Sequence, residues 1–507
     1  MLIFFLALAV PPTLTYHVLF SHPLGSPTHI SELQYIMEEL LDHGHQVTSM
    51  IFVSTNLNHP NYTEMVLPSD LPDLRWEVNK VLDGKQMIEK SRKSEKADNV
   101  VINNLMDPTR WYKDYVMMNS LIDEAGKATM EPAEVQQFLK AGSKVDALVT
   151  IFPQTATTLA ELLDCPIIVF SPSSSPHHVA DGLGGETHLG LQPLPSASLI
   201  EPLTLRQRVQ NIVLHYTSVA MMDWLGERIF HQQVKYVSQE LPSQRETLRS
   251  RSSIILASSH PITHGAWPRP PSTIEVGGLA LRPPRPLKDG KLKMLMEEAT
   301  QGVIVVNLGS SITSNVLPSD TVNLLLEVFS KLELLVVWRW DADIENLPAN
   351  VVTMPWLPLQ DLLAHRNTKL LLGHGISRFL IQKFEYLFFS TGGMASLTEC
   401  LYHATPLLAI PFANDQKQHM LRAQRLGYAA FVDWEGLSTV GLLVALKTTL
   451  EDKQMAARLQ QVRANCMCNN DDFKHWKFEV SLHFNVKGKN SVHGQREEPA
   501  FSCHLVD

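Results

Sequence analysis

The chain has 507 residues, 44% of them hydrophobic, and a formal net charge of −9, so it is long enough for two large domains. This mild acidic excess argues against a nucleic-acid-binding protein. The five cysteines are too few for a disulfide scaffold and their spacing matches no zinc-binding pattern, so no metal site is expected.

The chain begins with a short apolar run, Met1 to Val10, followed by prolines. This pattern predicts a signal peptide over residues 1–15, although the usual basic residues at its start are missing. The alternative is a first core strand, but Tyr16 to Ser21 already supplies one. Passage into the secretory pathway predicts a location in the lumen of the endoplasmic reticulum. It also makes Asn61, in the sequon Asn61-Tyr62-Thr63, a glycosylation site.

Residues 16–54 predict one strand-helix-strand unit of a parallel sheet. Ser26-Pro27 is typical of a helix start, apolar residues then recur at helical spacing, and Gly44 ends the helix. His29 lies in the first helical turn, where the helix dipole favours a neutral imidazole. By itself it is an ordinary helix-start histidine, and His22 and His45 are its local rivals.

The rest of the first half continues the alternation. Residues 145–150 and 166–171 are apolar strands, and the Ser-, Pro- and Gly-rich segment 172–202 predicts loops over a cleft. A break near the prolines that follow Trp267 gives a first domain over 16–268 and a second over 269–464. Residues 282–286 form a stiff proline-rich connector.

The second domain repeats the pattern. Residues 302–311 form a strand that ends in Gly309-Ser310, residues 317–332 a helix, and residues 333–338 the next strand. This alternation is typical of α/β domains with parallel sheets.

The most informative motif is interrupted. His374-Gly375 is followed, after the seventeen residues 376–392, by Gly393 and a helical segment that contains Glu399. With the gap closed, the motif is a strand, a tight turn and a helix N-terminus, which attracts phosphate. Glu399 then lies about two helical turns on and points at the same ligand.

Two further motifs flank this turn in order. Trp356 precedes His374 by eighteen residues, and Asp415-Gln416 follows it. Together these motifs resemble the donor site of the UDP-glycosyltransferases, particularly the animal UDP-glucuronosyltransferase-like enzymes. The resemblance implies an α/β fold of the GT-B type, with two Rossmann-like domains facing a cleft. The first domain would bind the acceptor and the second the UDP-sugar, with UDP-glucose or UDP-glucuronate as co-substrate and no cofactor.

The resemblance also implies a role for each donor-site residue. Trp356 stacks on uracil, and Glu399 accepts both ribose hydroxyls. The family's glutamine falls where this chain has Leu359, so Gln360 is its candidate substitute. The remaining residues are those implied to face the diphosphate or the sugar, namely Arg269, Ser310, His374, Gly375, Gly393, Asp415 and Gln416.

In the acceptor half, His29 matches the family's general base, which takes the proton of the attacking hydroxyl. The family's aspartate that orients this histidine would stand where this chain has Ile151. Asp146 begins the strand rather than ending it, so the role is not carried over to it. Another carboxylate serves, or the base is weaker.

The inserted residues 376–392 have more than one explanation. Gly375-Ile376 permits a GT splice donor and Phe388 to Gly392 a pyrimidine-rich tract ending in AG, so a retained short intron is our hypothesis. The alternatives are a true loop insertion, or a register in which Ser390 to Gly393 form the turn. As written, we expect an apolar bulge beside the diphosphate and weak or absent donor binding.

The C-terminal segment also departs from the family. A helix is predicted from Leu442 to Ala464, and the polar tail 465–507 contains no run of about twenty apolar residues. Family members in animals usually end with a membrane span. A mispredicted or alternatively spliced last exon explains this tail, as does a soluble luminal isoform.

The resemblance together with these patterns implies an inverting UDP-sugar-dependent glycosyltransferase. It would move glucose or glucuronic acid to a hydroxyl of a small lipophilic acceptor, with His29 as base, and homo-oligomers are an option. The alternative is an inactive or mis-spliced isoform that binds acceptors or modulates an intact partner.

Overall fold

The structure is a computed structural model, and two parallel sheets dominate the part of the chain that it describes. Both sheets are flanked by helices, as the alternating strand and helix pattern predicts. For residues 27–29, 394–395 and 415–416 the structure describes the backbone alone. The residues described are 15–23, 27–67, 126–172, 179, 183, 188–194, 199–265, 268, 270–309, 317–373, 394–411, 415–433 and 437–464.

The first sheet has seven parallel strands in the order β3-β2-β1-β4-β5-β6-β7. The order reverses between β1 and β4, so the connections after these two strands diverge and leave a crevice at their carboxyl ends. The strands are β1 His17–His22, β2 Gln46–Ile51, β3 Tyr62–Val66, β4 Ala147–Thr150, β5 Ile167–Ser171, β6 Ser252–Ala257 and β7 Thr273–Glu275.

In the described ranges, six α-helices accompany this sheet. The first begins at Pro27, and Gly44, with a φ of 82°, follows its end, as the sequence predicts. Its apolar face packs on β1, β4 and β5 through Leu33, Ile36 and Met37. The helices are α1 Pro27–Asp42, α2 Ala133–Lys140, α3 Pro153–Leu162, α4 Leu205–Gln233, α5 Gln244–Arg251 and α6 Pro261–His264.

The second sheet has six parallel strands in the order β10-β9-β8-β11-β12-β13. Successive residues of β8 enter two different apolar clusters, so both faces of this sheet are covered. The switch in strand order between β8 and β11 gives this sheet its own crevice. The strands are β8 Val303–Asn307, β9 Leu335–Arg339, β10 Val351–Met354, β11 Thr368–Gly373, β12 Leu407–Ala409 and β13 Ala429–Phe431.

The helices of the second domain differ from prediction at the C-terminal end. The single helix predicted from Leu442 to Ala464 is two helices, because Asp452 leaves the helical conformation and its carboxylate accepts from Met455 N at 2.9 Å. The helices are α7 Gly290–Glu298, α8 Ser319–Ser330, α9 Leu359–Leu363, α10 Met394–His403, α11 Asp415–Arg425, α12 Thr439–Glu451 and α13 Lys453–Val462.

The chain crosses between the two domains in very few residues. Gly277 N still donates to Ser259 O of the first domain at 3.1 Å, whereas Ala280 O already accepts from Gln360 Nε2 of the second at 2.9 Å. Gly278, with a φ of 94°, lies between them. The crossing comes after the predicted break at 268/269, because β7 adds a seventh strand to the first sheet.

Several predicted segments lie outside the described residues, namely most of the signal peptide, the insertion 376–392 and the tail 465–507. Among the helices that the structure does describe, none is long and apolar enough to cross a membrane. Cys165 and Cys400 are buried free thiols.

Candidate functional site

At the carboxyl edge of the second sheet, Trp356 and the turn at Gly309 are linked through Arg339. Trp356 follows β10 and is 71% exposed, so a flat ligand can stack on its indole. Arg339 ends β9, and its guanidinium carbon lies 5.9 Å from the centre of that indole. Arg339 Nη1 also donates to Gly309 O at 2.6 Å. The sequence analysis missed Arg339, which links the Gly309 turn to Trp356.

Glu399 lies on α10, the helix that follows β11 in the chain. Burial raises the pKa of its carboxyl to about 7, against the opposing effects of a hydrogen bond with Gln360 and the charge of Arg282. Near neutral pH this carboxyl is therefore close to half ionised. Ionised, it accepts hydrogen bonds only; protonated, it donates one.

Gln360 supports this carboxyl from the first turn of α9. Its Nε2 donates to Ala280 O at 2.9 Å, and its Oε1 accepts from Arg282 N at 3.0 Å. The neighbouring Asp361 accepts from both terminal nitrogens of Arg282, at 2.7 and 2.8 Å. As placed, the Gln360 amide is occupied by the chain itself, holding the interdomain segment against Glu399. Its predicted contact with a base edge remains a prediction.

Glu32 of the first domain faces the same place. It lies one turn after His29 on α1, it is 7% exposed, and its Oε2 is buried without a hydrogen-bond partner in the described part of the chain. Burial and, second, the charge of Glu399 raise its pKa to about 8. The sequence analysis missed Glu32. The available signal was a glutamate beside Ile30 and Leu33, on the apolar face of a helix.

This buried pair predicts that the fold loses stability as the pH rises. The ordinary pKa of both groups is 4.5, and the folded values are about 8 for Glu32 and about 7 for Glu399. Their favourable contribution to the free energy of unfolding is complete below pH 4.5, where both carboxyls are protonated in the folded and the unfolded state. It is lost as the pH rises through 7 to 8. We expect Glu32→Gln to raise the unfolding temperature at about pH 8.5 by at least ~2–4 °C, the shift that about 1 kcal/mol produces in a domain of this size, and to leave it nearly unchanged at about pH 4.

Thermal unfolding followed by circular dichroism at the two pH values tests this expectation. Glu38→Gln is the matched control, because Glu38 lies on the same helix and has its own partner, Gln34 Nε2, at 2.9 Å. An equal shift at both pH values in the Glu32 variant, or the same shift in the Glu38 variant, contradicts the expectation.

Three histidines of the first domain are candidates for the general base at the carboxyl edge of its sheet. His22 is fully buried beside the rings of Phe52 and Phe152, at 5.9 and 6.0 Å, so no solvent-borne ligand reaches it. His45 precedes β2 at the opposite edge and lies against Tyr16. His29 lies in the first turn of α1, after the carboxyl end of β1, and its side chain is outside the described residues.

No described carboxylate occupies the expected place at the end of β4. Ile151 follows this strand and is buried at 6% exposure. Asp146 lies at the opposite end, where it accepts from His17 N at 2.9 Å and pairs with Lys144 at 3.2 Å. Asp146 therefore serves the amino edge of the sheet, and Glu32 is the carboxylate that lies nearest to His29 on α1.

The remaining donor-site predictions are only partly located. α10 begins after β11, and α11 begins at Asp415 after β12, so both helix N-termini face the carboxyl edge of the sheet. The side chains of Asp415 and Gln416 lie outside the described residues. So do five whole residues, namely Arg269, Ser310, His374, Gly375 and Gly393.

Asn61 lies in the turn before β3, at the edge of the first sheet, and is partly exposed. Thr63, the third residue of the sequon, is exposed. Glycosylation there remains a prediction. In the described ranges no group of three or more His, Cys, Asp or Glu side chains could hold a metal ion.

Known proteins resemble the chain over most of its length. The family model described as UDP-glucoronosyl and UDP-glucosyl transferase matches residues 19–464. UDP-glucosyltransferase 2 of Dactylopius coccus is 26% identical over 253 residues, which are 49% of this chain and 45% of that protein. UDP-glucuronosyltransferase 2B23 of Macaca fascicularis is 24% identical over 458 residues, covering 86% of this chain and 79% of that protein.

The fold has solved counterparts as well. A UDP-glucosyltransferase from Polygonum tinctorium capable of glucosylating indoxyl, in complex with 3,4-dichloroaniline, matches with a TM-score of 0.56 at 16% identity. The match covers 93% of this chain and 99% of that one. Together with the two parallel sheets, this likeness confirms the predicted GT-B fold.

Proposed function

Because the chain belongs to the UDP-glucoronosyl and UDP-glucosyl transferase family, we propose that it transfers glucose or glucuronic acid to a hydroxyl of a small lipophilic acceptor. The observation that carries this proposal is the convergence of Trp356, Glu399 and the N-termini of α10 and α11 on one sheet edge. An aromatic platform, a carboxylate and the N-termini of two helices are the kinds of groups that bind the base, the ribose and the diphosphate sugar of a nucleotide sugar.

The donor is held from its base outward. The uracil ring stacks on the exposed indole of Trp356, and the ionised carboxylate of Glu399 accepts from the two ribose hydroxyls. The diphosphate is proposed to bind at the start of α10, and its proposed contacts are His374, Gly375, Gly393, Arg269 and Ser310. Asp415 and Gln416, at the start of α11, bind the hydroxyls of the transferred sugar.

His29 acts as the general base. Its neutral imidazole takes the proton of the acceptor hydroxyl while the hydroxyl oxygen forms a bond to C1 of the sugar. The bond from C1 to the UDP oxygen breaks, and its electron pair leaves with the diphosphate. Attack and departure take place on opposite faces, so the anomeric configuration inverts. Glu32, one turn after His29 on α1, supplies a buried carboxyl near this reaction.

The insertion 376–392 decides whether this polypeptide is active. It interrupts the chain between β11, which ends at Gly373, and α10, where the diphosphate is proposed to bind. The second candidate function is therefore a non-catalytic isoform that binds acceptors or modulates an intact partner.

An assay on two forms of the chain separates these functions. We expect the form without residues 376–392 to bind UDP and to release it from UDP-glucose or UDP-glucuronate with a panel of phenols and sterols. The form with the insertion should show weak activity or none, because seventeen extra residues occupy the turn. If the shortened form has the same circular dichroism spectrum but neither binds nor releases UDP, the proposed enzyme function is refuted.

A further inference from the structure

A segment of the first domain, between Pro193 and Glu201, binds α11 of the second domain through hydrogen bonds and an ion pair. Gln418 Nε2, on α11, donates to Leu199 O at 2.8 Å and to Pro193 O at 3.5 Å. Arg422, one turn further along, forms an ion pair with Glu201, and Arg425 donates to the carbonyl oxygen of Glu201. We call this set of contacts the interdomain clasp. On the first domain it consists of Glu201 and the carbonyl oxygens of Pro193 and Leu199, and on α11 of Gln418, Arg422 and Arg425.

The clasp is only partly open to solvent. The side chain of Arg422 is 19% exposed and that of Glu201 is 29% exposed. An ion pair in this setting is screened less than one on the open surface. Three residues of α11, spaced three and four positions apart along one face, take part in it. The contact therefore holds the helix along most of its length rather than at a single point.

The same loop is fixed at its other end by one buried side chain. Asn211 of α4 is fully buried, and its Oδ1 accepts from Leu194 N at 2.8 Å. Its Nδ2 donates to Leu189 O and to Gln192 O, both at 2.8 Å. Three good hydrogen bonds satisfy this amide almost completely, so the loop has little freedom to slide on α4.

A second contact joins the two domains on the same helix. The imidazoles of His264, on α6, and His419, on α11, meet edge to face, with centroids 4.9 Å apart and an interplanar angle of 72°. His419 is 4% exposed. α11 is thus held by the first domain from two elements, the loop and α6.

We propose that the interdomain clasp positions α11 for the sugar of the donor, with Glu201 and Arg422 as positioning residues. This inference depends on the proposed function, in which Asp415 and Gln416 at the start of α11 bind the sugar. The helix moves as one body, so a shift at Arg422 is carried to Asp415.

If the clasp positions α11, loosening it should affect binding of the sugar and binding of UDP differently. A contact that only stabilised the fold would not separate the two. UDP alone is proposed to be held by Trp356 and Glu399, which lie on elements other than α11. Loosening α11 should therefore weaken binding of the sugar and spare binding of UDP. We expect Glu201→Gln to raise KM for the UDP-sugar about fivefold, the effect of losing one partly shielded ion pair, with the Kd for UDP unchanged.

The experiment has two readouts, and the first is kinetic. The parent is whichever form of the chain, with or without residues 376–392, transfers sugar. KM for the UDP-sugar and Kd for UDP are measured for this parent and for its Glu201→Gln variant. The matched control is Asp433→Asn, which removes the ion pair of Lys417 with Asp433, at 3.0 Å, from the same helix within the second domain. An unchanged KM, an equal loss of UDP binding, or the same effect in the control overturns the proposal.

The second readout does not need activity. Hydrogen–deuterium exchange of the full chain should be faster across α11 in Glu201→Gln than in the parent and in Asp433→Asn. If exchange across α11 does not change, the clasp does not position this helix. If exchange changes but the parent neither binds UDP nor transfers sugar, the clasp is real and the proposed function is what fails.

Discussion

Replacing His29 with alanine is expected to lower kcat for sugar transfer by about 10²- to 10⁴-fold, the usual contribution of a general base. The Kd for UDP should stay the same, because the donor is proposed to bind on the other domain. His29 lies in the first turn of α1, and the positive end of a helix dipole favours a neutral imidazole. Steady-state kinetics and calorimetric titration of UDP, on the form that lacks residues 376–392, measure the two effects.

His43→Ala is the matched control for this substitution. His43 follows α1, and its side chain is 52% exposed, so its loss should change neither quantity. A His29 variant that keeps its kcat contradicts the assignment of the base. A variant that loses UDP binding to the same degree shows that His29 has a structural role instead.

Replacing Glu399 with glutamine is expected to weaken UDP binding by about 10²-fold. Two hydrogen bonds from the ribose to a charged acceptor are lost or weakened, each worth about 1.5–3 kcal/mol, and part of this is retained by the amide oxygen. The fold should survive, because glutamine has nearly the same shape and can keep a hydrogen bond with Gln360. Calorimetric titration with UDP measures the loss.

The same titration carried out against pH gives a second test. The pKa of Glu399 is about 7, and only the ionised form accepts both hydroxyls, so UDP affinity of the parent should rise from about pH 6 to pH 8. The glutamine variant should lack this rise. Glu451→Gln, at the exposed end of α12, is the control and should follow the parent. A parent whose affinity falls as the pH rises refutes the proposed role of Glu399.

Much of the fold could be predicted because its determinants are local. Pro27 and Gly44 bracket α1, and the apolar runs at 303–307 and 368–373 become strands β8 and β11. One local signal was overlooked, since Asp452 has the side chain of a helix N-cap and divides the predicted terminal helix.

The residues of the candidate site fall into two groups, those placed by local motifs and those placed by long-range contacts. The positions of Trp356 after β10 and of Glu399 on α10 could be predicted because their motifs are local and their spacing is fixed by a strand and a helix. Arg339 was missed because distant parts of the chain bring it to Trp356, which spacing does not reveal. Glu32 had a local signal, a glutamate on an apolar helix face, but its interaction with Glu399 is long-range. The interdomain clasp is of this kind too, since it joins residues more than two hundred positions apart.

The short crossing at Gly278 has a mechanical consequence. The second domain binds the chain from Ala280 onward through Gln360 and Asp361, which lie close to Trp356 in the chain. A rotation between the domains would therefore pivot beside the end of the donor site that is proposed to bind the base. Points near a fulcrum move little, and distant points sweep a wide arc. Opening would leave the platform for the base nearly in place while parting the sugar-binding end. The glycosylated acceptor would then be released first and UDP last.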